Sequence, residues 1–192
     1  TRRTAMKIKA LAAVILTVAL VSACGDNGDD QADDQTQTEV WAGGVCSAAG
    51  DWLAAITDAQ ATLADTGNLS ADTISSTFDG VVAATDTLVS DLSDLGKPGT
   101  EAGDEASDQL STLSSQLDEQ KAAIAAATDQ SAGSLPDLLS QISTVTGAVA
   151  AMLTDVSTTV GNLRNLDGAD ELKTAFEDSS ACQDLSASAS AQ

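Results

Sequence analysis

ADTISSTFDGVVAATDTLVSDLSDL, residues 71–95, places Ile74, Phe78, Val81, Thr85, Leu88, Leu92 and Leu95 at steps that alternate four and three over three heptads. That spacing keeps all seven on one face of an α-helix, whereas a strand would need alternation at every second residue. Ser70 stands where an N-cap is wanted, and Gly96 with Pro98 closes the segment. The stretch therefore predicts a helix over residues 71–95. A helix with one apolar stripe has to bury that stripe against other helices.

Three further segments supply those partners. The first runs from about Thr38 to Asp65 and stops at Thr66-Gly67, with Val45, Ala49, Trp52, Ile56 and Leu63 on its apolar side. Trp41 and Trp52 are eleven residues apart, three turns, and so share a face. The third helix, about Glu101 to Thr128, uses Ala106, Leu110, Leu113, Leu117 and Ile124. The fourth begins near Ser134, with Pro136 tolerated in its first turn, and continues through Leu138, Ile142, Val145, Met152 and Val156 to about Leu166. A short fifth helix, Ala169 to Asp178, presents Leu172, Ala175 and Phe176. Helices of this length are roughly 38 Å long, and short loops between them favour antiparallel neighbours. The fold expected is all-α: an antiparallel up-down four-helix bundle with a short C-terminal fifth helix.

Charge narrows the function. Arg2, Arg3, Lys7 and Lys9 precede Cys24 and no acid does, so from Cys24 onward four basic residues face all 29 acids, a net charge of −25. So acidic a surface repels phosphate backbones and anionic headgroups, which argues against nucleic-acid binding and against the domain lying flat on a membrane. The chain has no His and no Tyr, and only two Trp and two Phe. The usual general base at neutral pH and the commonest transition-metal ligand are therefore missing. No Gly-rich phosphate loop or nucleophile elbow is present, and Lys97, Lys121 and Lys173 read as solvated surface residues. The expectation is a protein that is not an enzyme and binds no metal.

The first 24 residues have a different character. A basic stretch leads into a mostly apolar run from Ala10 to Val21, about a dozen residues against the roughly 20 that a membrane-spanning helix needs. It ends in Val21-Ser22-Ala23-Cys24. This resembles the bacterial lipobox, with Val21 at the aliphatic position and Ser22 and Ala23 at the small ones. The resemblance implies export, cleavage after Ala23, and a diacylglyceryl group on the Cys24 thiol, with an N-acyl chain as an option. Residues 1–23 are then a signal peptide, and the chain is held on the outer face of the cell membrane in the cell envelope. Met6 is a natural start. The general secretory route is favoured over the twin-arginine one, because Ala5 replaces the usual large apolar residue after Arg2-Arg3.

GDNGDDQADDQTQT, residues 25–38, contains Ala32 as its one apolar residue and reads as a disordered acidic tether, with an end-to-end distance of roughly 20 Å. The ligand and glycine spacing of an EF-hand is not met there. The domain plan is thus lipidated Cys24 and tether over residues 24–38, the bundle over residues 39–185, and a frayed Ser/Ala-rich tail over residues 186–192.

With Cys24 taking lipid, Cys46 and Cys182 remain. In an exported chain an even pair most simply means a disulfide, with free thiols or a metal pair as alternatives. The layout of lipoprotein signal, acidic linker, Trp41-Ala42-Gly43-Gly44-Val45-Cys46 with Trp52, and late Ala181-Cys182 resembles the small helical lipoproteins of high-GC Gram-positive bacteria. That resemblance implies the envelope location and the disulfide and carries no activity with it. The functional expectation is a non-catalytic binding or spacer module for an envelope partner. The alternative is a carrier of a small hydrophobic ligand, with a pocket between helices near Trp41 and Trp52. No cofactor is expected beyond the lipid on Cys24.

Overall fold

A computed structural model describes residues 29–65, 67, 70–129, 135–166 and 169–190. The segment read from the sequence as a signal peptide, with Val21, Ser22, Ala23 and Cys24, lies outside the described residues. Among the described residues six helices follow in order: α1 (Asp29–Ala64), α2 (Ala71–Asp94), α3 (Gly103–Thr128), α4 (Leu135–Leu163), α5 (Asp170–Asp178) and α6 (Ser180–Ser190). No strand occurs among the described residues. The protein is an all-helical bundle.

The heptad stripe of residues 71–95 forms the buried face of α2, where Ile74, Phe78, Val81, Thr85, Leu88 and Leu92 are all inside. Ser70 caps the helix, its hydroxyl oxygen accepting from the Thr73 N–H at 3.1 Å. The helix stops at Gly96, whose φ of +63° is a backbone conformation that a side chain would strain. Helix α1 packs against α2, α5 and α6 and meets α4 only sparsely, while α2 packs on α3, and α3 on α4. One continuous core joins them, from Trp41 and Trp52 on α1 to Leu172 and Phe176 on α5.

The Thr- and Ser-rich helices solve a local problem in a consistent way. Thr57, Thr62, Thr77, Thr87, Thr112, Thr144 and Thr154 each donate their hydroxyl to the carbonyl four residues back. The hydroxyls are thereby satisfied inside the helix that contains them. This does little for helix propensity, so apolar packing supplies most of the stability.

Two boundaries differ from the sequence expectation. Helix α1 begins at Asp29, so residues 29–38 continue a helix where a disordered tether was expected. Starting a helix is costly, but extending an established one gains a backbone hydrogen bond for each residue fixed, so the helix that holds Thr38 propagates back to Asp29. Thr38, assigned to the tether, is buried at 2 % exposure. The tail differs likewise: α6 runs Ser180–Ser190, where no sixth helix was expected and fraying was assigned from residue 186. Buried Cys182 and half-buried Leu185 hold α6 against the core. Ser186 and Ser188 return their hydroxyls to the carbonyls of Cys182 and Asp184.

Candidate functional site

Cys46 and Cys182 form a disulfide that ties α1 to α6, with Cα atoms 4.9 Å apart and 136 residues between them in sequence. The bond is buried, with Cys46 at 1 % and Cys182 at 0 % exposure. Around it Trp41 is held from two sides. Its indole N–H donates to the Gly96 carbonyl at 3.0 Å, and its ring meets Phe176 edge-on, with centroids 6.1 Å apart and planes at 84°. Gly44 lets Leu95 come close, since a Cβ there would sit 2.4 Å from the Leu95 Cδ2. This end of the bundle is a packed structural node.

Trp52 lies three turns further along α1 and has other surroundings. Its indole N–H donates to the Thr85 hydroxyl at 3.1 Å, and that hydroxyl donates to the Val81 carbonyl at 2.8 Å. Thr85 is fully buried and stands in the middle of an otherwise apolar stripe. The sequence pattern shows that position as a step in a heptad, and the structure gives the reason for its hydroxyl. A buried indole N–H needs an acceptor, and an apolar residue at position 85 would leave it without one.

The other face of this arrangement is a cleft of about 410 Å³ along the seam where α1 and α4 close incompletely, bordered by α6. Trp52, Leu53, Leu153, Val156, Val160 and Leu185 give it apolar walls. Arg164, just beyond the end of α4, stands in the lining with Ser157 and Ser186. A second apolar cleft of about 140 Å³ lies further along the same seam, shares Leu153 with the first, and reaches Ile56, Phe78 and Val145. Of the two tryptophans suggested by the sequence, the larger cleft has Trp52 in its wall and not Trp41.

The basic residues divide by environment. Lys97 pairs with Asp104 at 2.6 Å, with both side chains largely exposed. Lys121 bridges α3 and α2 by donating to Asp118 at 2.7 Å and to Asp86. These hydrogen bonds, led by that to Asp118, hold the Lys121 ammonium above the usual lysine range, against a smaller opposing effect of burial. Arg164 is different. Its guanidinium lies over the Phe176 ring, 5.9 Å from the centroid, and both terminal nitrogens are 3.5 Å from the Ser186 hydroxyl. Among the described residues it is in no ion pair. Also among the described residues, no group of three Cys, Asp or Glu is placed to hold a metal ion, and no helix is long and apolar enough to cross a membrane.

No protein-family model, curated protein or solved structure matches the chain.

Proposed function

We propose that this chain is a lipoprotein of the cell envelope, anchored through Cys24 to the outer face of the membrane. Its helical bundle acts there as a non-catalytic binding or spacer module for an envelope partner. The supporting observation is the Cys46–Cys182 disulfide, because bonds of this kind persist in oxidising compartments and are rare where thiols are kept reduced. Export delivers the chain to such a compartment, with residues 1–23 as its signal, the Val21-Ser22-Ala23-Cys24 motif as the cleavage and lipidation site, and Cys24 as the attachment point.

The finer architecture proposed is an up-down arrangement of α1 to α4 with antiparallel neighbours. The partners Trp41 with Gly96 and Trp52 with Thr85 support it, since positions advance along α1 as they retreat along α2. Metabolic labelling with palmitate tests the anchor: label should enter the wild-type chain and be absent from Cys24→Ala. Label retained by that variant refutes anchoring at Cys24. Cross-linking in intact cells, followed by identification of the captured protein, tests the partner.

A second reading is favoured by the cleft beside Trp52. At about 410 Å³ it falls within the roughly 300–1,000 Å³ common for small-molecule sites, and its walls are apolar. In this reading the anchored bundle carries a small hydrophobic ligand. A saturable change in tryptophan emission on titration with envelope lipids separates carrier from spacer, for a spacer gives none.

A further inference from the structure

We propose that the α1–α4 cleft takes a long-chain carboxylate, with its apolar tail along the seam and its head on the Arg164 guanidinium. This rests on the carrier reading and gives that ligand a chemical class.

The shape supports a chain. The two clefts share Leu153 in their walls and follow one another along α1 and α4, with Phe78 and Val81 of α2 also lining the smaller one, so apolar space extends lengthwise along the bundle. Along α4 the residues concerned run from Val145 to Arg164, roughly 28 Å of helix axis. Compact aromatic or sugar ligands would leave most of that length unfilled.

Charge complementarity supports the head group. The chain from Cys24 onward has a net charge of −25, and Lys97 and Lys121 are both engaged by aspartates. Arg164 is the cation in the lining of the larger cleft, and among the described residues it is in no ion pair. The Phe176 ring flanks the guanidinium and the Ser186 hydroxyl lies 3.5 Å from both terminal nitrogens, which leaves the edge formed by Nε and one terminal nitrogen to match a carboxylate through two parallel N–H donations. The acidic surface opposes this weakly. At physiological ionic strength its field decays over about 8 Å, whereas a guanidinium–carboxylate contact acts at hydrogen-bond distance.

Calorimetric titration of the full chain below micelle concentrations tests the assignment, using decanoate, dodecanoate and tetradecanoate. 1-Dodecanol and dodecyltrimethylammonium serve as neutral and cationic counterparts. One equivalent of carboxylate is expected to bind saturably, with affinity rising about fourfold for each added CH2. Arg164→Gln should weaken dodecanoate about tenfold or more while leaving dodecanol unchanged, and Arg164→Lys should recover part of the loss. Gly161→Leu should block both ligands, because Gly161 lines the cleft and a Cβ there meets nothing within 4 Å, so the side chain enters free space. Thermal unfolding of each variant establishes that it is folded.

Equal binding of dodecanoate and dodecanol, unaffected by Arg164→Gln, overturns the carboxylate assignment and leaves a carrier of neutral ligands. Tighter binding of the cationic amphiphile overturns the assignment in the same way. No saturable binding of any of these amphiphiles by the folded chain overturns the carboxylate proposal and the carrier reading together.

Discussion

Replacing Thr85 by valine changes one atom group in the middle of the core and isolates what its hydroxyl does. The two side chains have nearly the same shape, so no cavity is opened. The substitution removes the acceptor 3.1 Å from the Trp52 indole nitrogen, in a place where Trp52 is 3 % exposed and Thr85 is 0 % exposed. The next polarizable group in contact with the hydroxyl is the Met152 sulfur at 3.8 Å, a weak acceptor. Leaving a buried donor unpaired costs about 1–3 kcal/mol, and the extra methyl returns up to about 0.8 kcal/mol. A net loss of about 0.5–2 kcal/mol is expected, which lowers the melting temperature by about 1–8 °C in a chain of this size.

Urea denaturation of wild type, Thr85→Val, Trp52→Phe and the double variant forms a cycle. Phenylalanine has no N–H to satisfy, so in that background Thr85→Val should be close to neutral, giving a coupling energy of about 0.5–2 kcal/mol. If Thr85→Val costs less than about 0.5 kcal/mol, or costs as much in the Trp52→Phe background as in wild type, the hydroxyl is not there for the indole.

Other expectations follow from the same contacts. The Cys46→Ser/Cys182→Ser variant loses closure of a 136-residue separation, about 5 kcal/mol by chain entropy, and should melt about 10–20 °C lower by circular dichroism. A shift below about 3 °C contradicts the staple. Gly96→Ala forces a Cβ into a φ of +63° and should cost about 1–2 kcal/mol, while Gly80→Ala, whose Cβ meets nothing within 4 Å, should be neutral or stabilising in the same assay. Lys121→Met should lower stability by about 0.2–1 kcal/mol at pH 7, because its aspartate partners are more than half exposed. The Lys121 pKa is raised on folding, so its contribution is complete below the unfolded value of 10.5 and is lost as pH rises through the higher folded one. Stability of wild type and Lys121→Met should therefore converge in strongly alkaline solution, and a constant difference there contradicts the ion-pair origin.

How much of this was legible in the sequence depends on where each signal is written. The heptads of residues 71–95 predict α2 to within one residue of its end at Asp94, because burial on one face leaves a periodic trace. The interior of α3 and the apolar face of α5 are written the same way. The start of α1 and the whole of α6 are not. They are polar, carry little periodicity, and are helical by continuation from a neighbour or by attachment through Cys182. Pairing Cys46 with Cys182 needed only counting, once Cys24 was set aside. The cleft needed more than counting. Its walls come from positions between Ala49 and Ser186 on three helices, so no local window contains it. Arg164 appears in the sequence only as one of four late cations, and its singular place emerges when Phe176 and Ser186 close around it.

The disulfide has a mechanical consequence as well as a thermodynamic one. A chain tethered ahead of Cys46 and pulled from a point beyond Cys182 transmits tension directly through the sulfur bridge. The helices between the two cysteines then hang as an unloaded loop, covalently bypassed, and most of α1 with all of α2, α3, α4 and α5 feels none of the pull. Under such a pull the α1 and α4 walls of the cleft beside Trp52 lie in the bypassed loop, while its α6 edge at Leu185 and Ser186 lies in the loaded segment.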